Sequence, residues 1–493
     1  MYILSIDQST SGTKAIIFDE RANLIHKVIE YHKQYYPEPG WVEHDPVEIF
    51  SKTLEASQRV IEESGIDKSK IEGISITNQR ETTVLWEKNT GVPFYNAVVW
   101  QCQRGKEICD DLKEKGLENF IRERTGLFID PYFSASKIKW IFENVKGVKE
   151  KAEKGKALFG TIDSWLIWNL TNGEVHATDH SNASRTLLLN IKNITWDEEI
   201  LRVLSIPVSI LPELKNSDDV FGYTDLNRIL PRKVPIVGVM GDSSASLFGL
   251  GGFEEGEIKA TYGTGTSIML NIGNNFFIPK TPVVTSICWS INNAVYYSIE
   301  GNIHSSGDTI AWLIKNLELI DSPYEAEKFA KSLESTEGVY FVPAFVGLGA
   351  PYWRNDVRAT ILGLSKNSTK AHVVRAALES IAYQVRDLLE VMISETNHRP
   401  LKLKVDGGAS ENRFLMQFQA NILGMPVMVS KIKENSARGV ALLGLLKFGK
   451  FSSLLDMKKA ISEYDIYEPS LDQNSREKLY NGWKRAVNTL LKN

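Results

Sequence analysis

Apolar residues along the chain fall in short bursts that end in small polar or acidic residues, a pattern that predicts strands delivering chemistry at their tips. Tyr2 to Ile6 ends in Asp7, and Ala15 to Phe18 ends in Asp19. The Gln8-Ser9-Thr10-Ser11-Gly12-Thr13-Lys14 stretch between them is small and polar, so the pattern predicts strand, tight turn, strand: a β-hairpin. The second half repeats the arrangement. Glu257 to Tyr262 leads into Gly263-Thr264-Gly265-Thr266-Ser267 and then Ile268 to Ile272. Two such hairpins suggest an internal duplication in which each half grips one side of a nucleotide. At mid-chain, Val234 to Met240 predicts a buried strand, Gly241 a sharp turn and Asp242 the opening of a helix of small residues. A carboxylate placed there faces the crevice where open α/β sheets take ligands. A plain helix N-cap gives the same letters, so both readings of Asp242 stand on this stretch alone.

The remaining pattern fills in an α/β frame. Asp45-Pro46-Val47-Glu48 predicts a capped helix start with a capping box, and Gly65 its stop. Lys70 to Thr77 predicts a strand delivering Asn78-Gln79-Arg80-Glu81-Thr82-Thr83, and Tyr95 to Gln101 another with Trp100 at its exit. Asp130-Pro131-Tyr132-Phe133-Ser134 predicts a turn carrying two aromatics. Val373 to Met392 has helical spacing and predicts a long core helix. Leu401 to Val405 alternates as a strand and ends in Asp406-Gly407-Gly408-Ala409, where paired glycines admit a flat or phosphorylated ligand. A last helix near Ser475 to Leu491 is expected to close the surface.

Composition changes this picture only by exclusion. The 493 residues suffice for two or more domains. A net charge of −4 gives no global attraction to nucleic acid or anionic lipid. The three cysteines, Cys102, Cys109 and Cys288, make neither a metal-type pair of pairs nor a disulfide framework. No apolar run reaches the length of a membrane span. The start, Met-Tyr-Ile-Leu-Ser-Ile-Asp, lacks a basic region and is not read as a signal peptide, so a cytoplasmic location is expected.

Three places carry candidate chemistry. A turn rich in Ser, Thr and Gly offers N–H groups and hydroxyls to phosphate, and Asp7 beside it then requires a cation between, ordinarily Mg²⁺. A plain solvated turn is the alternative. Arg80 and Glu81, followed by hydroxyls, can grip a hydroxylated ligand; a surface ion pair is the alternative. Trp100 reads as core packing or as a ligand wall.

Taken together, several blocks resemble the FGGY family of carbohydrate kinases, and within it the branch acting on glycerol. They are Tyr-Pro-Glu-Pro-Gly-Trp-Val-Glu-His-Asp-Pro (36–46), Thr-Asn-Gln-Arg-Glu-Thr-Thr (77–83), Tyr-Asn-Ala-Val-Val-Trp-Gln-Cys (95–102), Asn-Ala-Ser-Arg-Thr (182–186), Gly-Leu-Gly-Ala-Pro-Tyr-Trp (347–353) and Val-Asp-Gly-Gly-Ala (405–409). The resemblance implies two RNase H-like α/β domains of the actin and sugar-kinase superfamily, residues 1–245 and 246–493, around a cleft. It implies ATP-dependent phosphorylation of a small polyol with Mg²⁺, and a homo-oligomer, dimer or tetramer. By position Asp242 matches the general base, and Arg80, Glu81, Trp100 and Tyr132 match residues that hold the polyol. Asp7 and Asp242 fall on the metal side. Thr10, Ser11 and Lys14 lie on the phosphate hairpin, and Thr264, Gly265, Gly307, Gly408, Ala409 and Asn412 fall where the family binds nucleotide.

Two positions of the substrate pocket depart from that branch. Ser243 stands where it typically has Gln, and Ser267 where it typically has a Phe packed on the polyol's apolar side. Two hydroxyls replacing two large groups favour a tetritol, pentitol or cyclitol such as an inositol. Refilling of the space by neighbours keeps glycerol. An actin- or chaperone-like ATPase is the competing class; Arg80, Glu81, Trp100 and Tyr132 as a small-molecule pocket speak against it.

Overall fold

The computed structural model describes residues 1–354, 356–461 and 463–492. Two mixed sheets dominate it. From edge to edge the first runs Val220–Thr224, Val234–Gly241, Ile71–Asn78, Tyr2–Gln8, Gly12–Asp19, Leu24–Tyr31. The second runs Val284–Ile291, Ala294–Ile303, Thr266–Asn271, Ile258–Tyr262, Leu403–Asp406, Val427–Ser430, Tyr464–Tyr467.

The duplication expected from the two hairpins is present strand for strand. Tyr2–Gln8 is antiparallel to its hairpin partner and parallel to Ile71–Asn78, which is parallel to Val234–Gly241. Ile258–Tyr262 is likewise antiparallel to Thr266–Asn271 and parallel to Leu403–Asp406, which is parallel to Val427–Ser430. The second sheet differs by the extra strand Val284–Ile291 at its hairpin edge. The parallel strands of each sheet end on the same side. That puts Asp7, Asn78 and Gly241 from one sheet, and Tyr262 and Asp406 from the other, at the crevice where such sheets take ligands.

The last parallel strand of each sheet feeds a helix, Asp242–Gly249 in one half and Asn435–Lys447 in the other. These helices cross backbone to backbone. A Cβ on Gly439 would stand 1.9 Å from the Ala245 carbonyl oxygen, and one on Gly249 2.1 Å from that of Asn435. Space, not backbone conformation, demands glycine at both. Around the crossing, Ile3, Ile16, Met240, Phe248, Met269, Trp289, Val440 and Leu443 form one apolar core shared by the two halves.

Several expected elements differ in extent. The first turn shrinks to Ser9–Ser11, because Gln8, Thr13 and Lys14 pair in the hairpin ladder and Gly12 pairs with Tyr31 of the next strand. Tyr95–Gln101 is mostly loop. Only Ala97–Val98 pairs, and the chain then folds back so that the Trp100 N–H reaches the Thr82 hydroxyl at 3.2 Å. The helix Pro46–Ser64 starts on Asp45 as expected, but Glu48 accepts from the Lys33 N–H, so half of the capping box is spent on a neighbouring loop. The last helix, Gln473–Leu491, closes the surface as expected and buries one face, Tyr480, Gly482, Trp483, Ala486 and Val487. Trp483 is fully buried and stacks on Tyr383 of the long helix Lys370–Thr396 with centroids 5.4 Å apart. Among the described residues no helix is long and apolar enough to cross a membrane.

Candidate active site

Asp242 is the first residue of its helix; the cap position belongs to Gly241, whose backbone is extended at φ −61. The N-cap reading of Asp242 is therefore not borne out, and neither is a glycine-only turn at Gly241. Glycine is required there because a Cβ would lie 2.7 Å from Cγ and Cδ of Arg80. Asp242 Oδ1 accepts from the Ser243 N–H at 2.6 Å and lies 3.1 Å from Arg80 Nε. The rest of its side chain is open, 44% exposed. A carboxylate fixed on one oxygen and open on the other is placed to accept a proton from something in the cleft.

Behind Asp242 lies a buried network of four charges. Arg80 donates both Nη groups to Glu300, at 2.9 and 2.6 Å. Glu300 also receives Arg185 Nη1 at 3.2 Å, and Arg185 Nε reaches Glu81 at 2.6 Å. Arg80 and Glu81 are neighbours in sequence but not partners. Glu81 has φ +62, and its carboxylate is engaged by Arg185. A non-glycine residue in that region marks a backbone held by its surroundings. Burial would raise the Glu300 carboxyl, but Arg185 and Arg80 outweigh it and hold it down at about 2. Burial pushes Glu81 upward against the same two arginines. The surface ion-pair reading of Arg80 and Glu81 fails: both are buried.

The aromatic wall is bolted to this network. Trp100 donates its indole N–H to Thr10 of the first hairpin at 3.0 Å, and meets Tyr132 edge-on at 5.5 Å. The Tyr132 turn is held by buried Lys137, whose ammonium donates to the carbonyls of Pro131, Tyr132 and Phe133. Ser134 donates to the Glu81 carbonyl at 2.9 Å. Burial raises the Tyr132 hydroxyl well above its ordinary range, which keeps it a neutral donor.

At the first hairpin Asp7 pairs across the ladder with Lys14, whose ammonium stands 3.7 Å from it. Burial lifts Asp7 to about 6; Lys14 opposes this, while the Glu434 and Asp242 carboxylates add to it. Ser11 is the exposed tip with Thr10 half-buried beside it, and the Ser9 N–H is already taken by the Gly12 carbonyl at 2.9 Å. Among the described residues no group of three or more His, Cys, Asp or Glu is arranged to hold a metal. Asp7 and Asp242 suit a divalent ion that arrives with phosphates, since Mg²⁺ commonly takes one or two carboxylates and fills its other positions from substrate and water.

The second hairpin forms the opposite lip. The Thr264 carbonyl accepts the N–H groups of Ser306 and Asp308, and that of Gly263 accepts from Gly307. A Cβ on Gly307 would press within 2.5 Å of Gly263, and one on Gly265 within 2.3 Å of Ile303. Gly407, at φ +92, crosses the Tyr262 backbone so closely that a Cβ would lie 2.3 Å from its carbonyl oxygen. Gly408 beside it faces open space, and Asn412 caps the helix Arg413–Leu423 by accepting from Leu415 at 2.9 Å. Ala409, between Gly408 and Asn412, is half-buried.

The two serines also lie at the site. Ser243 Oγ receives Arg80 Nη2 at 3.1 Å. Ser267 pairs with Thr261 and Asn302, on the sheet face that carries Glu300, and its Oγ is buried without a partner. Sequence reasoning missed Glu300 and Lys259 and gave Arg185 no role. The available signal was a charge inside an apolar strand: Glu300 follows Ile299, and Lys259 follows Ile258. Lys259 donates to Thr261, which donates to Asp406, and Asp406 also receives Ser246 of the Asp242 helix.

Comparison with known proteins agrees with this geometry. Family models described as the N- and C-terminal domains of the FGGY family of carbohydrate kinases match residues 2–249 and 258–448. The chain is 62% identical over 491 residues to glycerol kinase 1 of Thermotoga maritima, covering 100% of both. It is 50% identical to a glycerol kinase of Caldanaerobacter subterraneus subsp. tengcongensis over 100% of this chain and 99% of the relative. The structure of Plasmodium falciparum glycerol kinase with ADP superposes with a TM-score of 0.94 at 38% identity, covering 99% of this chain and 98% of that one. A xylulose kinase from Lactobacillus acidophilus, at 22% identity and TM-score 0.89, shares the two-domain, RNase H-like fold over 99% of this chain and 98% of its own. Both halves of the chain are accounted for by one family: the protein belongs to the FGGY carbohydrate kinases.

Proposed function

We propose that the protein transfers the γ-phosphoryl group of ATP to a hydroxyl of glycerol. The observation that carries this reading is the open carboxylate of Asp242, fixed by Arg80 between two hairpins that each present a glycine- or hydroxyl-rich turn. Polyol hydroxyls meet Arg80, the second oxygen of Glu81, the Tyr132 hydroxyl and the face of Trp100, with Ser243 and Ser267 at the margin. Asp242 accepts the proton of the attacking hydroxyl as its oxygen bonds to phosphorus, and the bond to the β-phosphate oxygen breaks to release ADP. Thr264, Gly265, Gly307, Gly408, Ala409 and Asn412 hold the nucleotide, while Thr10, Ser11 and Lys14 meet its phosphates. Mg²⁺ held by Asp7 and Asp242 supplies neutralisation of phosphate charge when bound. The division into residues 1–245 and 246–493 falls inside the crossing helix Asp242–Gly249, where the two halves touch. Assembly as a dimer or tetramer belongs to the same reading.

One observation favours a larger polyol as a second reading: the buried hydroxyl of Ser267 has no partner on the face that carries Glu300. ATP consumption with Mg²⁺ over glycerol, erythritol, ribitol, xylitol and inositols tests both. Preference for glycerol supports the first reading. Efficient turnover of a longer polyol with poor glycerol turnover replaces it with the second. ATP turnover independent of any polyol overturns both.

A further inference from the structure

Glu434 immediately precedes the helix Asn435–Lys447 of the C-terminal half, yet both its oxygens are engaged by the N-terminal half. Oε2 accepts from Lys14 at 2.6 Å and Oε1 from Lys27 at 2.9 Å. The two lysines are diagonal neighbours on paired strands, since Lys14 opposes Ile29 and Ile16 opposes Lys27. The Glu434 side chain is 8% exposed, so this carboxylate is little screened by water. Lys14 continues the row to Asp7. Lys27, Glu434, Lys14 and Asp7 thus form an alternating line of charge that crosses from one half to the other and ends beside the turn Ser9–Ser11.

We propose that Glu434 is a positioning residue: from the opposite domain it sets where Lys14 stands at the phosphate hairpin, so that this cation is correctly placed only when the two halves hold this relative position. The inference rests on the kinase reading above. A lysine is a flexible point charge, and without an anchor its ammonium samples a wide volume. Lys14 cannot be anchored from its own sheet by Asp7 alone, because Asp7 is the group expected to face a cation arriving with the nucleotide. An anchor on the other domain leaves Asp7 free and ties the placement of the charge to domain closure. Lys27 engages the same carboxylate but does not reach Asp7, so it is the internal control.

The test is steady-state kinetics with thermal midpoints for Glu434→Gln, Lys14→Met, Lys27→Met and the double variant Glu434→Gln/Lys14→Met. The expected result is a rise in KM for ATP of about five- to twentyfold in Glu434→Gln, with KM for the polyol unchanged. That rise should vanish in the Lys14→Met background, which is the signature of a residue acting through another. Lys27→Met should move the thermal midpoint and leave KM for ATP within about twofold. A flat KM for ATP in Glu434→Gln with a lowered midpoint makes the carboxylate a structural tie and overturns the proposal, as does a rise that persists with Lys14 removed. Should Glu434→Gln not fold, equal effects of Lys14→Met and Lys27→Met on KM overturn it. Absence of wild-type turnover fails the kinase reading itself, a separate outcome from normal wild-type turnover with an unaffected variant.

Discussion

Arg80 Nε lies 3.1 Å from Asp242 Oδ1, while the two Nη groups of the same guanidinium close on Glu300 from the other half of the chain. The orientation of the open carboxylate is therefore set by an arginine that a buried glutamate holds from behind. Replacing Asp242 by Asn keeps the shape and the acceptor facing Arg80 but removes the proton acceptor. kcat should fall about a hundred- to ten-thousandfold. Nucleotide binding measured by calorimetry without Mg²⁺ should stay within about threefold. An Asp242→Asn protein that keeps turnover within about tenfold takes Asp242 out of the base role.

Glu300 is the anion that lets Arg80 and Arg185 share one buried site. Glu300→Gln leaves two guanidinium groups uncompensated by it, and removing one partner of a buried ionic group costs about 3–5 kcal/mol. The pH dependence follows from the direction of the shift. Its carboxyl is held at about 2 in the folded protein, below its ordinary value. A depressed carboxyl contributes stability that is full above the unfolded pKa and lost as pH falls through the folded one. The difference in urea midpoint between wild type and Glu300→Gln should be large near about pH 6 and narrow as the pH drops towards about 3. A difference that does not change with pH would mean that the glutamate acts by packing alone.

How much of this was legible beforehand depended on whether a feature is local. The two hairpins were readable because strand period and turn chemistry act over a few residues. Asp242 and Arg80 sit at strand ends, which the same pattern locates, although Gly241 takes the cap and its glycine answers to Arg80 rather than to a special φ. Glu300, Arg185 and Glu434 were not assigned roles, because a charge pair between residues far apart in sequence leaves no periodic trace. The Glu81 side chain shows the limit most clearly. Its adjacency to Arg80 suggested a pair, yet its carboxylate is held by Arg185, far away in sequence. The last helix was legible as a surface element, whereas the few residues that anchor it, Tyr480, Trp483 and Val487, were not singled out.

The crossing of Asp242–Gly249 with Asn435–Lys447 leaves no room for a methyl group. Gly439→Ala should push the helices apart, at a cost of about 1–3 kcal/mol for forcing atoms into a filled interface. Because one of these helices begins at Asp242 and the other directly follows Glu434, the damage should reach function. The expected outcome is a lowered thermal midpoint together with a fall in kcat/KM of at least about tenfold. A fall in midpoint with kcat/KM intact would show that the cleft tolerates a shifted crossing.

The proposed reading of a larger polyol makes Ser267 the position that senses substrate length. Its hydroxyl is buried without a partner, opposite Asn302 and one step along the face from Glu300. Ser267→Phe fills that space with an apolar ring and removes a hydroxyl a longer substrate can use. A site built to pair a hydroxyl rejects altered partners strongly, whereas added apolar bulk costs a short substrate little. The ratio of kcat/KM for erythritol or ribitol over glycerol should therefore fall by about tenfold or more, mostly through loss on the longer polyol. An unchanged ratio would place position 267 outside the polyol's reach and leave Arg80, Glu81, Trp100 and Tyr132 as the groups that set length.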